Sequence, residues 1–426
     1  MFLLLVACAA PDTIADAETA WITQLSAETS GSIPTAIEIQ FSTAAEGVGW
    51  VEVDGIATGA SEPGTEHTHI VYGPPISDLS VIAVVEVDGQ RHESEAFTVT
   101  TGQLLPETPT LDVTIDKLSS HEGAEELILV AHLYGTPTSW TIISDLSGQI
   151  LWAISQESQG LSIQPMLERG AVMENLTHYN DLSSSSLRTV DLMGNILSER
   201  STPGAHHFFE LVDGEPLWIR ADSRRVDAQL VVGDALIWGD EEIFSTWDHI
   251  NHYTSTPFTP SIEDWTHANW IHHNPERDTF LMSLAKQSTI IELSRGGEPL
   301  QILGGTNSHV FIPDDDHPHH PHGAHWLGPD LVVMTTTNEQ STVRQYKLDG
   351  QEMVAVNTLG ADNNFHAHVL GEAQPLKNSM LLVSWGSVGV VQVLSSDNEV
   401  LWEAHSELGH FISQVFMLPT RFSPAP

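Results

Sequence analysis

The feature that most constrains the fold of this chain is a repeat that begins near residue 125. The same order of short apolar stretches, separated by turns rich in Gly, Asp and Asn, recurs with a length of about 40–60 residues, the size of one β-propeller blade. Each copy contains four strand-like stretches. The clearest copies begin at His267, His322 and His366, and weaker ones begin near Ser162 and His206.

Two fragments remain at the ends of the repeat region, 126–153 and 410–418. Joined, they would form a sixth blade built from both ends of the domain, and this closure would remove the exposed strand edges of an open sheet. The sequence therefore predicts an all-β protein with a six-bladed β-propeller over residues 125–426. Five or seven blades are alternatives, as is a stack of two sandwiches, which accounts for the strands but not for the repeat.

The region before the propeller has a different pattern. Residues 27–101 contain short stretches of alternating apolar and polar residues bounded by Gly, Asp, Ser or Pro. This pattern predicts a small β-sandwich of the fibronectin type III or immunoglobulin-like kind. Residues 9–26 and 102–124 are interpreted as linkers.

The single cysteine, Cys8, excludes a disulfide framework and a zinc site built from cysteines. The apolar residues 1–7 lead directly into Cys8, and Leu-Val-Ala-Cys resembles a bacterial lipobox. Residues 1–8 are therefore interpreted as a truncated lipoprotein signal that ends at a lipidated Cys8. This predicts an exported protein of the outer membrane, periplasm or cell surface that contacts a membrane only through its lipid anchor.

The charge balance restricts the possible partners. The chain has 57 Asp and Glu against 15 Lys and Arg, a net charge of −42. Such a surface repels the phosphate backbone, so nucleic acid is excluded as a partner. An anionic substrate would then need a locally positive channel mouth.

Histidines recur at one position of the repeat. His207, His267, His322 and His366 each open the predicted first strand of a copy. Because the innermost strands of a propeller surround its central channel, these side chains are expected to converge there. Strand alternation places Asn269 on the same face as His267, whereas only one of the adjacent His206 and His207 can face the channel, and His207 is favoured.

Two of these segments carry a family resemblance. Asp264-Trp-Thr-His-Ala-Asn resembles the Asp-Trp-x-His-x-Asn signature of the bacterial arylsulfate sulfotransferases. Pro321-His-Gly-Ala-His-Trp-Leu resembles the Gln-His-Asp-Ala block that carries the nucleophilic histidine of this family. Thr337-Asn338 and the following Ser341-Thr-Val-Arg-Gln-Tyr resemble the next two strands. The resemblance covers about residues 125–420.

The resemblance implies a reaction. The family moves a sulfuryl group from an aryl sulfate ester to a phenol without a nucleotide donor or other cofactor. A ping-pong mechanism through a sulfated His322 is expected, with His267 and His207 completing the catalytic group. The expected substrate-binding residues are Asn269, His206, Lys286, His325, His366 and Asn338. The partners would be a small aryl sulfate and a phenolic acceptor, and the sequence does not indicate an oligomeric state.

The chain also departs from the family pattern. Ala285 stands where the family has an arginine, with Lys286 next to it, and Gly323 replaces the aspartate that follows the nucleophile. An alternative is therefore a catalytically degenerate propeller that binds a ligand or partner at the cell surface. The His-rich tract 314–325 also suggests a metal-binding protein, but its prolines favour a loop that leads into an inner strand, and no metal is predicted.

Overall fold

The computed structural model describes residues 21–120, 127–135, 138–157, 160–179, 181–226, 228–250, 264–336, 339–407 and 410–419. Cys8 and Asn338 lie outside these residues, so lipidation at Cys8 and a role for Asn338 stay predictions. No helix among the described residues is long and apolar enough to cross a membrane.

The N-terminal region is β-rich. Its seven strands are β1 (Ile22–Thr29), β2 (Ala36–Val53), β3 (Ile56–Ala57), β4 (Gly64–Tyr72), β5 (Asp78–Val87), β6 (Gln90–Glu93) and β7 (Phe97–Thr100). The long strand β2 pairs with β1 and β4 through its first half and with β5 through its second half. A strand that changes partners in this way can turn the corner of a sandwich.

Two boundaries differ from the prediction. β1 begins at Ile22, before the predicted start at residue 27, and the predicted linker 102–124 contains a strand, β8 (Leu111–Asp116). β8 pairs with the outer strand of a propeller blade along Leu111, Val113 and Ile115. Its pairing satisfies backbone groups that would otherwise form an open sheet edge.

The two fragments predicted to form a shared blade do so. This closing blade consists of β9 (Leu127–Tyr134), β10 (Ser139–Asp145), β11 (Ile150–Gln156) and, from the other end of the chain, β32 (Phe411–Pro419). β32 pairs antiparallel with β9, with Val415 opposite Ala131.

The other five blades follow in chain order, each as one antiparallel sheet. Blade 1 consists of β12 (Ile163–Met166), β13 (Ala171–Leu176), β14 (Ser186–Asp191) and β15 (Ile196–Ser201). Blade 2 consists of β16 (Ala205–Val212), β17 (Glu215–Val226), β18 (Gln229–Trp238) and β19 (Glu241–Ser245). Blade 3 consists of β20 (Ala268–Asn274), β21 (Thr279–Leu284), β22 (Thr289–Ser294) and β23 (Pro299–Gly304).

Blade 4 consists of β24 (His322–Leu327), β25 (Asp330–Thr336), β26 (Ser341–Asp349) and β27 (Glu352–Leu359). Blade 5 consists of β28 (Glu372–Pro375), β29 (Leu381–Ser384), β30 (Val390–Leu394) and β31 (Val400–Ser406), with β8 as its fifth strand. The prediction of a six-bladed propeller is confirmed. The prediction that the inner strand of blade 5 opens at His366 is wrong, because β28 begins only at Glu372.

Helices among the described residues are short. The single α-helical turn is α1 (Thr246–His249). The 3-10 turns are Leu118–Ser120, Leu167–Arg169, Leu182–Ser184, Ala285–Gln287, Asp314–Asp316, Ala361–Asn363, Lys377–Ser379 and Gly386–Val388.

Buried side-chain hydrogen bonds join the closing blade to its neighbours. Gln414 on β32 accepts a hydrogen bond from the backbone N of Ile163 at 2.7 Å. Glu372 on β28 accepts one from the backbone N of Val415 at 2.6 Å, and Ser384 donates to the Ile412 carbonyl. The ring of inner strands β12, β16, β20, β24, β28 and β32 is therefore continuous around the channel.

The N-terminal region packs directly on the propeller. Ile33 and Phe41 share one apolar cluster with Trp152 of the closing blade and Leu192 beside blade 1. Ser30 also donates a hydrogen bond to the Met193 carbonyl at 2.7 Å. This shared core gives the region a place against the propeller wall, away from the channel.

Candidate active site

A cavity of about 250 Å³ lies where the inner strands begin. We call it the histidine cavity, and it is lined by Tyr134, Leu161, Tyr179, His207, His267, Asn269, His320, His322, Val369, Leu370 and Phe411. Four of the predicted site residues, His207, His267, Asn269 and His322, therefore meet in one place. Their positions were predicted from the repeat, whereas their chemical roles stay predictions.

Irregular strand geometry sets the directions of the His207 and His267 side chains. The pairing register shifts between Ala205 and Phe209 in blade 2 and between Ala268 and Trp270 in blade 3. His207 and His267 have positive φ angles of 57° and 52°. Such bulges locally break the two-residue alternation of a strand and redirect a side chain, and they are frequent beside active sites.

His322 is almost completely buried, with 7% of its surface exposed. Burial lowers the pKa of its ring to about 3, and the nearby His320 and His267 add to the shift. The ring hydrogen-bonds the Gly371 backbone, while Nδ1 is buried without a hydrogen-bond partner. His322 is therefore a neutral imidazole near pH 7 and retains the lone pair that nucleophilic attack requires.

His267 is held by a carboxylate. Its Nδ1 lies 2.7 Å from Oδ2 of Asp264, and Nζ of Lys286 lies 2.9 Å from the same oxygen. Burial alone would raise the pKa of the Asp264 carboxyl, but its bonds to His267 and Lys286 outweigh burial and hold that pKa well below its usual range. The ionised carboxylate fixes the orientation of the His267 ring, with Nδ1 as the donor.

This arrangement places Lys286 behind the cavity wall, and its role in binding substrate stays a prediction. The lysine does not line the histidine cavity, because its ammonium group pairs with Asp264. It reaches the cavity only through the chain Lys286, Asp264, His267. A lysine is a single point of charge, so binding Asp264 in this way occupies much of its capacity to attract an anionic substrate.

The adjacent histidines of blade 2 have different positions. His207 lines the histidine cavity, as favoured from the sequence, whereas His206 lies behind it. His206 Nδ1 is 2.7 Å from His207 Nδ1, and His206 Nε2 is 3.0 Å from Oδ1 of Asp234. Both ring nitrogens of His206 are therefore engaged by protein groups, and a role for His206 in binding substrate stays a prediction.

The environment of His207 disfavours a positive charge on it. Burial lowers its pKa well below the usual value, and His267, His206 and His322 add to the shift. Its backbone carbonyl accepts hydrogen bonds from Asn175 Nδ2 at 2.8 Å and from the Ser162 hydroxyl at 3.1 Å. These two bonds hold the residue in its left-handed conformation.

Two further predicted residues do not reach the histidine cavity. His325 lines a second cavity of about 130 Å³, where the centroid of its ring lies 4.2 Å from that of His272. His366 lies in the connection before β28, and its ring packs 4.1 Å from that of His368. Neither residue lines the histidine cavity, and a role for His325 or His366 in binding substrate stays a prediction.

The sequence analysis missed several lining residues. His320 lines the histidine cavity, and burial lowers its pKa to about 4, with His267 and Lys286 adding to the shift. Its spacing of two from His322 was a usable signal for a shared face. Tyr134, Tyr179 and Phe411 form the aromatic part of the wall, but nothing in the repeat marked them.

The structure shows what surrounds Ala285 and Gly323, the two residues that depart from the family pattern. Ala285 is fully buried, and its backbone N donates to the His267 carbonyl at 3.1 Å, so this position supports His267 without a side-chain charge. Gly323 has a φ of +59°, and a Cβ there would lie 2.6 Å from Cα of Glu372. Only glycine fits, so the backbone leaves no room for the aspartate of the family pattern.

The charge of the cavity differs from the expectation. The described lining residues include no Asp or Glu that would repel an anionic substrate, and no Lys or Arg that would attract one, since Lys286 pairs with Asp264 behind the wall. Within the described part of the chain, no three His, Cys, Asp or Glu side chains form a group that could hold a metal ion.

Comparisons with known proteins were made for the sequence and for the fold. No curated protein matches the sequence. Similar solved structures include a protein of unknown function from Bacteroides caccae, with 14% identity, a TM-score of 0.48, and coverage of 69% of this chain and 99% of that chain. A putative 6-phosphogluconolactonase from Bacteroides fragilis has 11% identity and a TM-score of 0.42 over 70% of this chain and 99% of that chain. Virginiamycin B lyase from Staphylococcus aureus, in a catalytically inactive form with quinupristin, has 10% identity and a TM-score of 0.40 over 73% of this chain and 100% of that chain.

The sequence model of one family matches the chain. It is described as arylsulfotransferase (ASST), and the match runs over residues 112–309, which include His207, His267 and Asn269 and end before His322. The match supports aryl sulfotransferase-type chemistry in general, with small aryl molecules as substrates. Residues 112–309 of this chain therefore match the sequence model of an arylsulfotransferase (ASST) domain.

Proposed function

We propose that the chain transfers a sulfuryl group from an aryl sulfate ester to a phenol through a sulfated His322. The observation that carries this proposal is a neutral, buried imidazole in the same cavity as three polar side chains from the family-matched segment. The imidazole attacks sulfur, an N–S bond forms, and the S–O bond to the aryl group breaks. The acceptor phenol then attacks sulfur, and the N–S bond breaks as a new aryl sulfate forms.

The transferred group carries negative charge on its oxygens, which requires hydrogen-bond donors around it. His267 lines the cavity, and Asp264 orients its ring through Nδ1, so Nε2 is its remaining nitrogen for contact with the transferred group. Asn269 contributes differently, since its Nδ2 donates to the Pro321 carbonyl at 3.2 Å and so holds the residue that precedes His322.

The remaining wall suits an aromatic ring. Tyr134, Tyr179, Phe411 and Leu370 surround the polar centre with aromatic and apolar surface, which is how small-molecule sites commonly bury a ligand. The volume of about 250 Å³ lies just below the usual range of ligand cavities, which begins at about 300 Å³. We therefore propose single-ring aryl sulfates and phenols as substrates.

The test is an assay of purified protein with 4-nitrophenyl sulfate, with and without excess phenol. We expect nitrophenol release that depends on phenol, the appearance of phenyl sulfate, and the loss of both in His322→Asn. His366→Asn serves as the matched control, because His366 lies outside the histidine cavity, and it should retain activity. Release without an acceptor would indicate hydrolysis instead, and full activity in His322→Asn would refute the proposed nucleophile.

A second candidate function is binding without turnover. It is favoured by Ala285, which supplies no charge, and by the pairing of Lys286 with Asp264. In that case calorimetry would detect aryl sulfate binding to a folded protein that releases no product from several donors. Weaker binding in His267→Gln would then locate the ligand in the histidine cavity.

A further inference from the structure

A chain of three buried side chains runs behind the histidine cavity. Asp234 is 1% exposed, and its Oδ1 bonds Nε2 of His206, whose Nδ1 bonds Nδ1 of His207. The second carboxylate oxygen, Oδ2, accepts hydrogen bonds from the Thr266 hydroxyl at 2.5 Å and from the Ala268 backbone N at 2.7 Å. Among the described residues, His206 is the only ion-pair partner of Asp234.

These contacts limit where the hydrogens lie. A carboxylate only accepts hydrogen bonds, so His206 Nε2 carries a hydrogen. The two Nδ1 atoms are 2.7 Å apart, so one carries a hydrogen and the other a lone pair. Because His207 engages Nδ1 in this bond, Nε2 is its remaining nitrogen for a substrate.

Two arrangements satisfy every contact and keep His207 neutral, and they differ by one proton. In the first, His206 is neutral, His207 carries its hydrogen on Nδ1, and Nε2 of His207 is a base. In the second, His206 is positively charged beside Asp234, and Nε2 of His207 carries a hydrogen. The excess charge then resides on His206, next to a carboxylate, rather than on His207, where burial disfavours it.

We propose that His207 is the acid and base of the transfer reaction and that His206 and Asp234 position it and store its proton. This inference rests on the proposed function. In the first half-reaction, His207 Nε2–H protonates the departing aryl oxygen as the S–O bond breaks, and His207 Nδ1 takes the hydrogen of His206 Nδ1. In the second, the acceptor hydroxyl gives its proton to His207 Nε2, and the Nδ1 hydrogen returns to His206. Each cycle borrows and returns one proton.

The surroundings of His207 fit this role. The titratable groups that face it are His267 and His322, whose rings belong to the site, Tyr179 at 6.2 Å between ring centroids, and the adjacent His206. None of these is a carboxylate. The only acid in the chain of contacts is Asp234, one residue further back, so a stored charge is expected to reside on His206.

The first test varies the leaving group. Nitrophenol departs readily as an anion, whereas phenol is more basic and needs protonation, so loss of a general acid affects phenyl sulfate more. In His206→Gln we expect the rate of transfer from phenyl sulfate to fall by about 10²-fold, within the usual range for acid–base catalysis, and that from 4-nitrophenyl sulfate to fall much less. Asp234→Asn should show the same pattern, and His366→Gln should show neither loss. Equal losses for the two substrates would indicate a structural role and overturn the proposal.

The second test does not depend on turnover. In ¹⁵N-histidine NMR spectra of the full chain, we expect a downfield proton shared by the two Nδ1 atoms that disappears in His206→Gln. If this proton signal is absent from the wild-type spectrum, the proposal that His206 holds the proton for His207 is overturned, even if sulfuryl transfer occurs. If the proton is present but no aryl sulfate reacts with the wild type, the proposed function fails while the hydrogen-bond chain stands.

Discussion

Asp264 Oδ2 lies 2.7 Å from His267 Nδ1 and accepts a hydrogen bond from Lys286 Nζ at 2.9 Å. Of these three residues, only His267 lines the histidine cavity. Asp264→Asn would remove the carboxylate that orients the His267 ring through Nδ1. We expect the rate of sulfuryl transfer to fall by about 10²-fold, with the circular dichroism spectrum retained. The measurement is kcat/KM with 4-nitrophenyl sulfate and phenol.

Lys286→Met serves as the matched variant for this test. Lys286 acts on His267 only through Asp264, so its loss should reduce kcat/KM less than the loss of the carboxylate does. A larger loss in Lys286→Met than in Asp264→Asn would mean that the lysine contacts the substrate directly.

The steric role of Gly323 gives a second prediction. In Gly323→Ala the new Cβ would lie 2.6 Å from Cα of Glu372, at a residue with positive φ. We expect a loss of about 2–3 kcal/mol in the free energy of unfolding, measured by urea denaturation. Gly328→Ala is the control, because its φ of +61° is similar but nothing lies within 4 Å of its Cβ. Equal losses would show that backbone strain alone, rather than contact with Glu372, requires glycine.

Glu372 makes the stability of the protein depend on pH. Burial raises the pKa of its carboxyl to about 8, although hydrogen bonds from Gln374 and the Val415 backbone act in the opposite direction. Between about pH 4.5 and pH 8 the unfolded chain has this carboxyl ionised while the folded chain keeps it protonated. Its contribution to stability is therefore complete below about pH 4.5 and is lost as the pH rises towards 8.

Glu372→Gln tests this dependence, because the amide oxygen can still accept the Val415 hydrogen bond. We expect the variant to lose less stability than the wild type between pH 5 and pH 8, by up to about 1.4 kcal/mol per pH unit. Urea denaturation at several pH values measures the difference. Parallel curves for the two proteins would contradict a protonated Glu372.

The fold could be predicted because each copy of the sequence repeat corresponds to one blade. Strand stretches recur at blade length, and the fragments 126–153 and 410–418 are complementary, so the closing blade followed from the sequence. The sequence predicted the start of the inner strand of blade 5 at His366, because this histidine lies where the other copies of the repeat have theirs. In the structure that strand, β28, begins at Glu372.

The site could be predicted in part for the same reason. Equivalent repeat positions brought His207, His267 and His322 together, since every blade places its inner strand at the channel. His325 lines the second cavity instead, and its odd spacing of three residues from His322 was a signal against a shared face in a regular strand. The direction of Lys286 depended on a partner, Asp264, that only the folded structure brings near it.

The most direct test of the central claim is the mass of the protein after incubation with an aryl sulfate and no acceptor. The account predicts an added SO₃ group on the peptide that contains His322, its removal on addition of phenol, and its absence in His322→Asn. Product release without an adduct on His322, or an adduct on another residue, would contradict transfer through this histidine.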